Sequence, residues 1–433
     1  MTPRHYLRRY QYDTRLVTGG FYPSEPLSVE RGDRVGVVLF HLGGPDSADN
    51  VKPFLFNLFM DPALLDLPGG GIVRPWLSRF IASVRGKSVR KEYEAIGGGS
   101  PVTRLAYEQA ESLETLLNAK FGTATGASFQ TYVAMRYWHP FGEEAARQMQ
   151  EDGITKVVLL PLFPQYSKTT TGSALAYWWH LEQAGEIPSW PTVRVAEYAA
   201  HPKYVQAVSE RIDEALQRFS KRHRDQVPLL FSAHGTPLRE MKERGDPYCC
   251  LIHTTVDQVM TLRGQDRPFH VAFHGKIGPA EWLMPGTTET LKALAGQEHT
   301  SVLVVPVALV TEHLETTYAL DIDLREQAAR VGITHFEVMP ALNCHSLFIE
   351  TLAEATLAHL AFPARAEMMN GVHDGPVSAY PFLPLDRLSH FDPSERCTQC
   401  PECKRIAEAQ RWTAADPTPQ PPSTRPRADL PGV

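Results

Sequence analysis

Eight short apolar runs punctuate the chain: GVVLFHL (36–42), TYVAMRY (131–137), KVVLLPLF (156–163), TVRVAEY (192–198), PLLFSAH (228–234), HVAFHG (270–275), SVLVVPVALV (301–310) and FEVMPAL (336–342). They are continuous rather than alternating. A strand reads that way when both of its faces are covered, which places it in a parallel sheet between helices. Amphipathic segments at 107–119, 143–152, 201–218 and 286–296 lie between the runs, and their length suits the crossovers that parallel neighbours require. The class is therefore α/β. Two doubly wound domains of four strands each are the favoured arrangement, because the 43–130 gap is long for a barrel connection; a closed barrel is the alternative.

Composition narrows the function. With 433 residues, 43% of them hydrophobic and 21% charged, the chain buries a sizeable core and divides into at least two domains. A net charge of −6 offers no basic field to a phosphate backbone, so nucleic acid is not expected as a partner. No apolar run approaches the roughly 18 residues of a membrane span, and MTPRHYLRRYQYD lacks the apolar centre of a secretory signal. A cytoplasmic location is expected. The run FLFNLFMDPALLDLP (54–68), with Trp76, Phe80, Trp138 and Trp282, adds apolar surface that would form a lip for an apolar ligand or for peripheral contact with the inner membrane. Of the six cysteines, Cys397, Cys400 and Cys403 form C-x2-C-x2-C, a spacing that suits a metal better than a disulfide framework. The segment 413–433 is Pro-rich and expected to be disordered.

In open parallel sheets ligands bind beyond the carboxyl ends of the strands, and in this chain those ends are polar. They carry His41, Arg136 with Tyr137, the Pro164-Gln165-Tyr166 turn, His234, His274, and then Glu312, His313 and Glu315. A lone histidine at such a place is more often structural than functional, but three of eight strands end in one. His234 lies in FSAHGTP, where glycine and proline force a turn that leaves the imidazole facing a cleft, able to take a proton or bind a divalent metal. IGGGSP (96–101) follows a charged helical stretch and lacks a G-K-[ST] ending, so it is read as a loop for close backbone approach, not a phosphate loop. On a 3.6-residue repeat Glu312, Glu315, Ala319 and Asp323 form one stripe of TEHLETTYALDID. Helix-dipole compensation explains acids in the first turn but not Asp323.

Taken in order, GVVLFHLGGPD, YEAIGGGSPV, AMRYWHP, PQYSKTTTGS, FSAHGTP with RGDPY after it, GKIGPAEWLMP and TEHLETTYALDID resemble the signature segments of the ferrochelatases, from about Val35 to Leu360. The resemblance implies the chelatase fold: two similar Rossmann-like domains with parallel four-stranded sheets and a porphyrin cleft between them. It also implies insertion of Fe2+ into protoporphyrin IX in haem biosynthesis. Coproporphyrin as substrate, or a porphyrin-binding protein without chelatase activity, are the alternatives, and the protein is expected to be a monomer or homodimer. The implied division is an N-terminal extension (1–33), a first domain (34–183 with 336–362), a second (184–335), and a C-terminal extension carrying the cysteines (363–412).

Residue by residue, the resemblance puts His234 in the place of the proton-accepting histidine, Glu315 in that of the carboxylate facing it across the cleft, and His313, Asp323 and Tyr137 at further catalytic positions. Substrate iron would meet His234 and Glu315. Arg136, Tyr93, Leu42, His41, Trp282 and His274 fall at porphyrin-contact positions, with Arg136 pairing a propionate. The chain departs from the pattern at Ala319 and Asp323, where relatives carry glutamates, at His41, and at His274-Gly275, where Gln-Ser is common. Animal members hold a [2Fe-2S] cluster with one cysteine from the PQYS-x-TTGS segment, but Lys168 stands there; the resemblance implies Cys397, Cys400 and Cys403 as ligands, and Cys344, just before the helix that leads to the C-terminal extension, is read as the fourth. Cys249 or Cys250 as the fourth, a zinc site completed by His345 or His390, and free thiols are the other readings.

Overall fold

The structure is a computed structural model and describes residues 2–65, 70–122, 125–276 and 280–362. All eight apolar runs contain strands: β1 (Arg34–His41), β2 (Ser128–Met135), β3 (Lys156–Pro161), β4 (Thr192–Arg194), β5 (Leu229–His234), β6 (Phe269–His274), β7 (Ser301–Pro306) and β8 (His335–Val338). They form two parallel four-stranded sheets, ordered β2-β1-β3-β4 and β6-β5-β7-β8. The two halves thus repeat one topology and one switch point, although their sequences show no repeat. The doubly wound α/β class expected from the runs is the one found, and the closed barrel is not.

Burial explains why the runs are continuous. Along β1, Val35, Val37 and Leu39 face one cluster while Val38 and Phe40 face another. In β5, Leu229, Phe231 and Ala233 join the first of those clusters and Leu230 a third. Each buried Val, Leu or Phe contributes about 1.5–3 kcal/mol, and a two-faced strand collects that from every residue. The shared cluster makes one core of both halves, and helix Ser346–Ala358 packs on both Val102–Leu117 and Pro202–Leu216 across it.

The expected division falls one strand away from the sheets at each end. Thr192–Arg194, placed by sequence in the second domain, is the edge of the first sheet, with Val157 opposite Thr192. His335–Val338, of which 336 onward was placed in the first, is the edge of the second, with Val302 opposite Phe336. Such edge strands are too short to carry periodicity of their own. The free ladder edge of β3 or β7, not their composition, selects where they dock.

Before the first sheet, Pro3–Arg9 forms a helix whose N-terminus is capped by Thr2, with Pro3 pre-set for the first turn. What reads as an extension is tied down through Tyr6, which is buried.

Candidate active site

His234 and His274 end neighbouring strands in register, opposite one another at the carboxyl edge of β5 and β6. The imidazoles lie with ring centroids 5.6 Å apart and nearly perpendicular. Their approach depends on Gly275, whose φ is +84° and where a Cβ would stand 2.8 Å from His234 Cε1. Only glycine suits that backbone and that space. The Ser232 hydroxyl lies 2.9 Å from His274 Nδ1 and is itself 3.1 Å from the Thr287 hydroxyl, so the ring is held with Nε2 outward.

Glu315 completes the group. Its Oε1 is 3.1 Å from His234 Nδ1, and its Oε2 is 3.5 Å from His274 Nε2 and 3.9 Å from His313 Nε2. His313 Nδ1 accepts the Glu315 N–H at 3.1 Å. Side chains of His234 and Glu315 keep 39% and 34% of their surface exposed, so the pair is open to a ligand. Desolvation disfavours the His234 imidazolium, but the Glu315 carboxylate outweighs it and the histidine pKa is raised. Desolvation likewise opposes the Glu315 charge, and His234 and His274 overcome it, holding the carboxyl well below the usual range. His313 moves the other way: burial, only partly offset by Glu315, lowers its pKa. His41, at the end of β1, is buried with its ring 6.5 Å from that of His313. Desolvation, with some help from His313, pushes it down to about 3, so it is a neutral imidazole whose Nδ1 accepts the Gly43 N–H.

Two expectations about this helix fail. Glu315 does not face His234 across a gap: the two side chains touch and belong to one wall. The carboxylate stripe is absent as well. Glu315–Asp323 winds as a π-helix, closed by the Leu324 N–H to the Ala319 carbonyl five residues back, and Glu312 lies before the helix begins. Glu312 turns away to accept the Ala341 N–H and the Thr316 hydroxyl. Asp323 is exposed, and Gln327 binds its carboxylate.

A second polar group sits beneath the end of β2. Tyr137 is fully buried and donates its hydroxyl to Asp61 Oδ2 at 2.8 Å. Arg136 Nη2 is 2.9 Å from the same oxygen, and its guanidinium stacks on Tyr6, Tyr137 and Tyr177. The propionate partner expected for Arg136 is therefore replaced by Asp61, which attracts the buried cation at contact distance. Asp61, Ser232 and Tyr6 are members of these networks that sequence reasoning missed. The available signal was an acid, Asp61, inside an otherwise apolar run.

The remaining expected contacts line the apolar wall. Tyr93 is buried, and desolvation first and the Glu315 charge second keep its hydroxyl protonated. Leu42 and Leu314 pack on the cluster that contains Tyr93, Tyr137 and Trp138. Trp282 covers Gly235, the residue after His234, with Cε3 3.3 Å from where a Cβ on that glycine would stand. The 54–68 lip is corrected in part: Phe54, Leu55, Phe59 and Met60 are buried, and 66–68 lie outside the described residues. The exposed apolar surface is instead on the Gly70–Ala95 helix, at Ile72, Val73, Trp76, Phe80 and Val84. Among the expected cluster ligands Cys344 is a free, exposed thiol, and Cys397, Cys400, Cys403 and His390 lie outside the described residues. Lys168 is buried and pairs with Glu240 at 2.9 Å.

Comparison with known proteins adds an independent line. The family model described as Ferrochelatase matches residues 34–360. The chain is 39% identical over 338 residues to a protein named Ferrochelatase from Cyanothece sp., covering 77% of this chain and 84% of that one. It is 40% identical over 334 residues to the Ferrochelatase of Gloeobacter violaceus, covering 76% of this chain and 99% of that one. Among solved structures, SirB from Bacillus subtilis with Fe3+ aligns over 76% of this chain and 96% of its own, at 11% identity and a TM-score of 0.45.

Proposed function

The chain belongs to the ferrochelatase family, and from that premise we propose that it inserts Fe2+ into protoporphyrin IX in haem biosynthesis, with His234 and Glu315 as the acting pair. The observation that carries the assignment is their direct contact at the carboxyl edge of the second sheet, open to solvent and ringed by His274, His313 and Tyr93.

Metalation breaks two pyrrole N–H bonds, forms four N–Fe bonds and transfers no electron. The two protons need an acceptor. In the resting pair the carboxylate holds a proton on His234; an arriving dication competes for the same carboxylate and displaces that proton to solvent. As the ion passes to the pyrrole nitrogens, the neutral imidazole takes their two protons in turn, releasing the first to solvent before it accepts the second. Neutral His41 and His313 add polar lining without adding positive charge that would repel Fe2+. The test is an anaerobic porphyrin absorbance assay. His234→Ala should abolish Fe2+ insertion while porphyrin affinity stays within a few-fold of wild type; near-normal turnover would sink the assignment.

Two further elements belong to this reading. A [2Fe-2S] cluster is assigned to Cys397, Cys400, Cys403 and Cys344. The exposed Cys344 thiol fits a ligand supplied from outside its own loop, while Lys168, locked to Glu240, leaves no thiol at the animal-type position. Such a cluster would join the C-terminal segment, through three thiolates, to the body through one. Iron and acid-labile sulfide in anaerobically purified protein test it, and bound zinc in place of iron would refute it. Peripheral membrane contact is assigned to the apolar stripe of the Gly70–Ala95 helix; among the described residues no helix is long and apolar enough to cross a membrane.

A further inference from the structure

We propose that His274 is a third ligand for the incoming Fe2+, so that His234, His274 and Glu315 form a two-histidine, one-carboxylate docking triad on one wall of the cleft. The proposal rests on the reading of His234 and Glu315 as the iron-contacting pair.

Three observations carry it. First, one donor atom from each of the three side chains can be chosen so that all lie within 4.8 Å of one another. A metal with bonds of about 2.1 Å needs its ligands roughly 3–4 Å apart, so small side-chain adjustments close the set. Second, the ligand orientation is already prepared. Ser232 engages His274 Nδ1 and leaves Nε2 toward Glu315 Oε2, the outer hydrogen bond that commonly fixes the tautomer of a ligating imidazole. Third, His234 Nδ1 is buried, close to Glu315 Oε1, yet without a well-directed hydrogen bond.

The His274-Gly275 dipeptide acts as one unit in this arrangement. Gly275 removes the Cβ that would collide with His234, and His274 supplies the second imidazole beside it. The donor set is the one that suits ferrous iron bound on one face with open positions opposite. Those open positions are what hand-over requires, because water can leave them as pyrrole nitrogens approach. Three ligands on one side hold the ion while keeping its other hemisphere free.

The experiment uses the full chain without porphyrin, under anaerobic conditions. Fe2+ affinity is titrated, and nitric oxide is then added as a probe of an open position, with the S = 3/2 iron–nitrosyl signal read by electron paramagnetic resonance. Pulsed measurements on the same adduct count coordinated imidazoles. Wild type should give the signal with two imidazole couplings. His274→Gln should weaken Fe2+ binding about tenfold or more and leave one coupling. If His274→Gln binds Fe2+ as wild type does with both couplings present, His274 is not a ligand and the proposal falls alone. Should His234→Ala and Glu315→Gln also bind Fe2+ normally, the reading of the pair falls and takes the proposal with it. Gly275→Ala separates folding from ligation: circular dichroism should stay native while the His234 coupling is lost, and retention of both couplings would contradict the geometry argued for the dipeptide.

Discussion

At the scale of single residues, Asp61 and Gly275 do more to place the cleft side chains than the sequence suggests. Asp61 accepts from Tyr137, Ser173 and the Ala63 N–H while pairing with Arg136, so one carboxylate satisfies three donors and neutralises a cation in a buried space. Removing it leaves the Arg136 guanidinium buried without an anion, which in comparable cases costs about 3–5 kcal/mol. Asp61→Ala is therefore expected to lower unfolding stability by that order in urea titration, and Asp61→Asn by clearly less, because the amide still accepts from Tyr137 or Ser173. Equal losses for the two variants would show that shape rather than charge matters there. His234, Glu315, His313 and His274 were legible because strand ends in a parallel sheet are where polar groups face a ligand. Asp61 was not, since nothing in a one-dimensional run tells a buried acid with four partners from an exposed one in a loop.

At the scale of elements, the helix after β7 shows where periodicity misleads. A 3.6-residue repeat aligns Glu312, Glu315 and Asp323, but the backbone takes i→i+5 hydrogen bonds from Glu315 to Asp323. Glu315 meets the histidines at the start of this helix, Asp323 stays in solvent at its end, and Glu312 lies before it. Single π turns are often found at functional sites, and their energy is set by tertiary contacts that sequence does not display. The Gly70–Ala95 helix makes the complementary point. Its exposed face carries Ile72, Trp76, Phe80 and Val84 at helical spacing, with Arg79, Arg85 and Lys87 also exposed, a pattern suited to an anionic lipid surface. Trp76→Ser with Phe80→Ser should reduce co-sedimentation with phosphatidylglycerol vesicles at least several-fold while leaving soluble-phase circular dichroism unchanged; unaltered binding would remove the stripe as the contact surface.

At the scale of the whole molecule, the two halves are joined by a common apolar core and by buried charge. Lys168 of the first half pairs with Glu240 of the second, and Asp246 accepts the Lys168 N–H and the Ser167 hydroxyl. Burial, only partly offset by those donors, pushes the Asp246 carboxyl up to about 6 from 3.8. A folded-state pKa above the unfolded one stabilises the native form below the unfolded value and loses that contribution as pH rises through the folded one. Wild type should thus lose roughly 2 kcal/mol between pH 4 and pH 7 relative to Asp246→Asn, whose amide does not ionise. Urea midpoints at several pH values check this, and parallel curves for the two proteins would contradict it. The α/β class, the eight strands and the family were readable from residue order, because two-faced burial writes itself as continuous apolar runs and the signature segments are local. Which sheet each edge strand joins, the contact between Glu315 and His234, the commitment of Arg136 to Asp61 and the exposed stripe after residue 70 were settled only on folding. Each depends on distances between segments far apart in the chain, set by packing and desolvation.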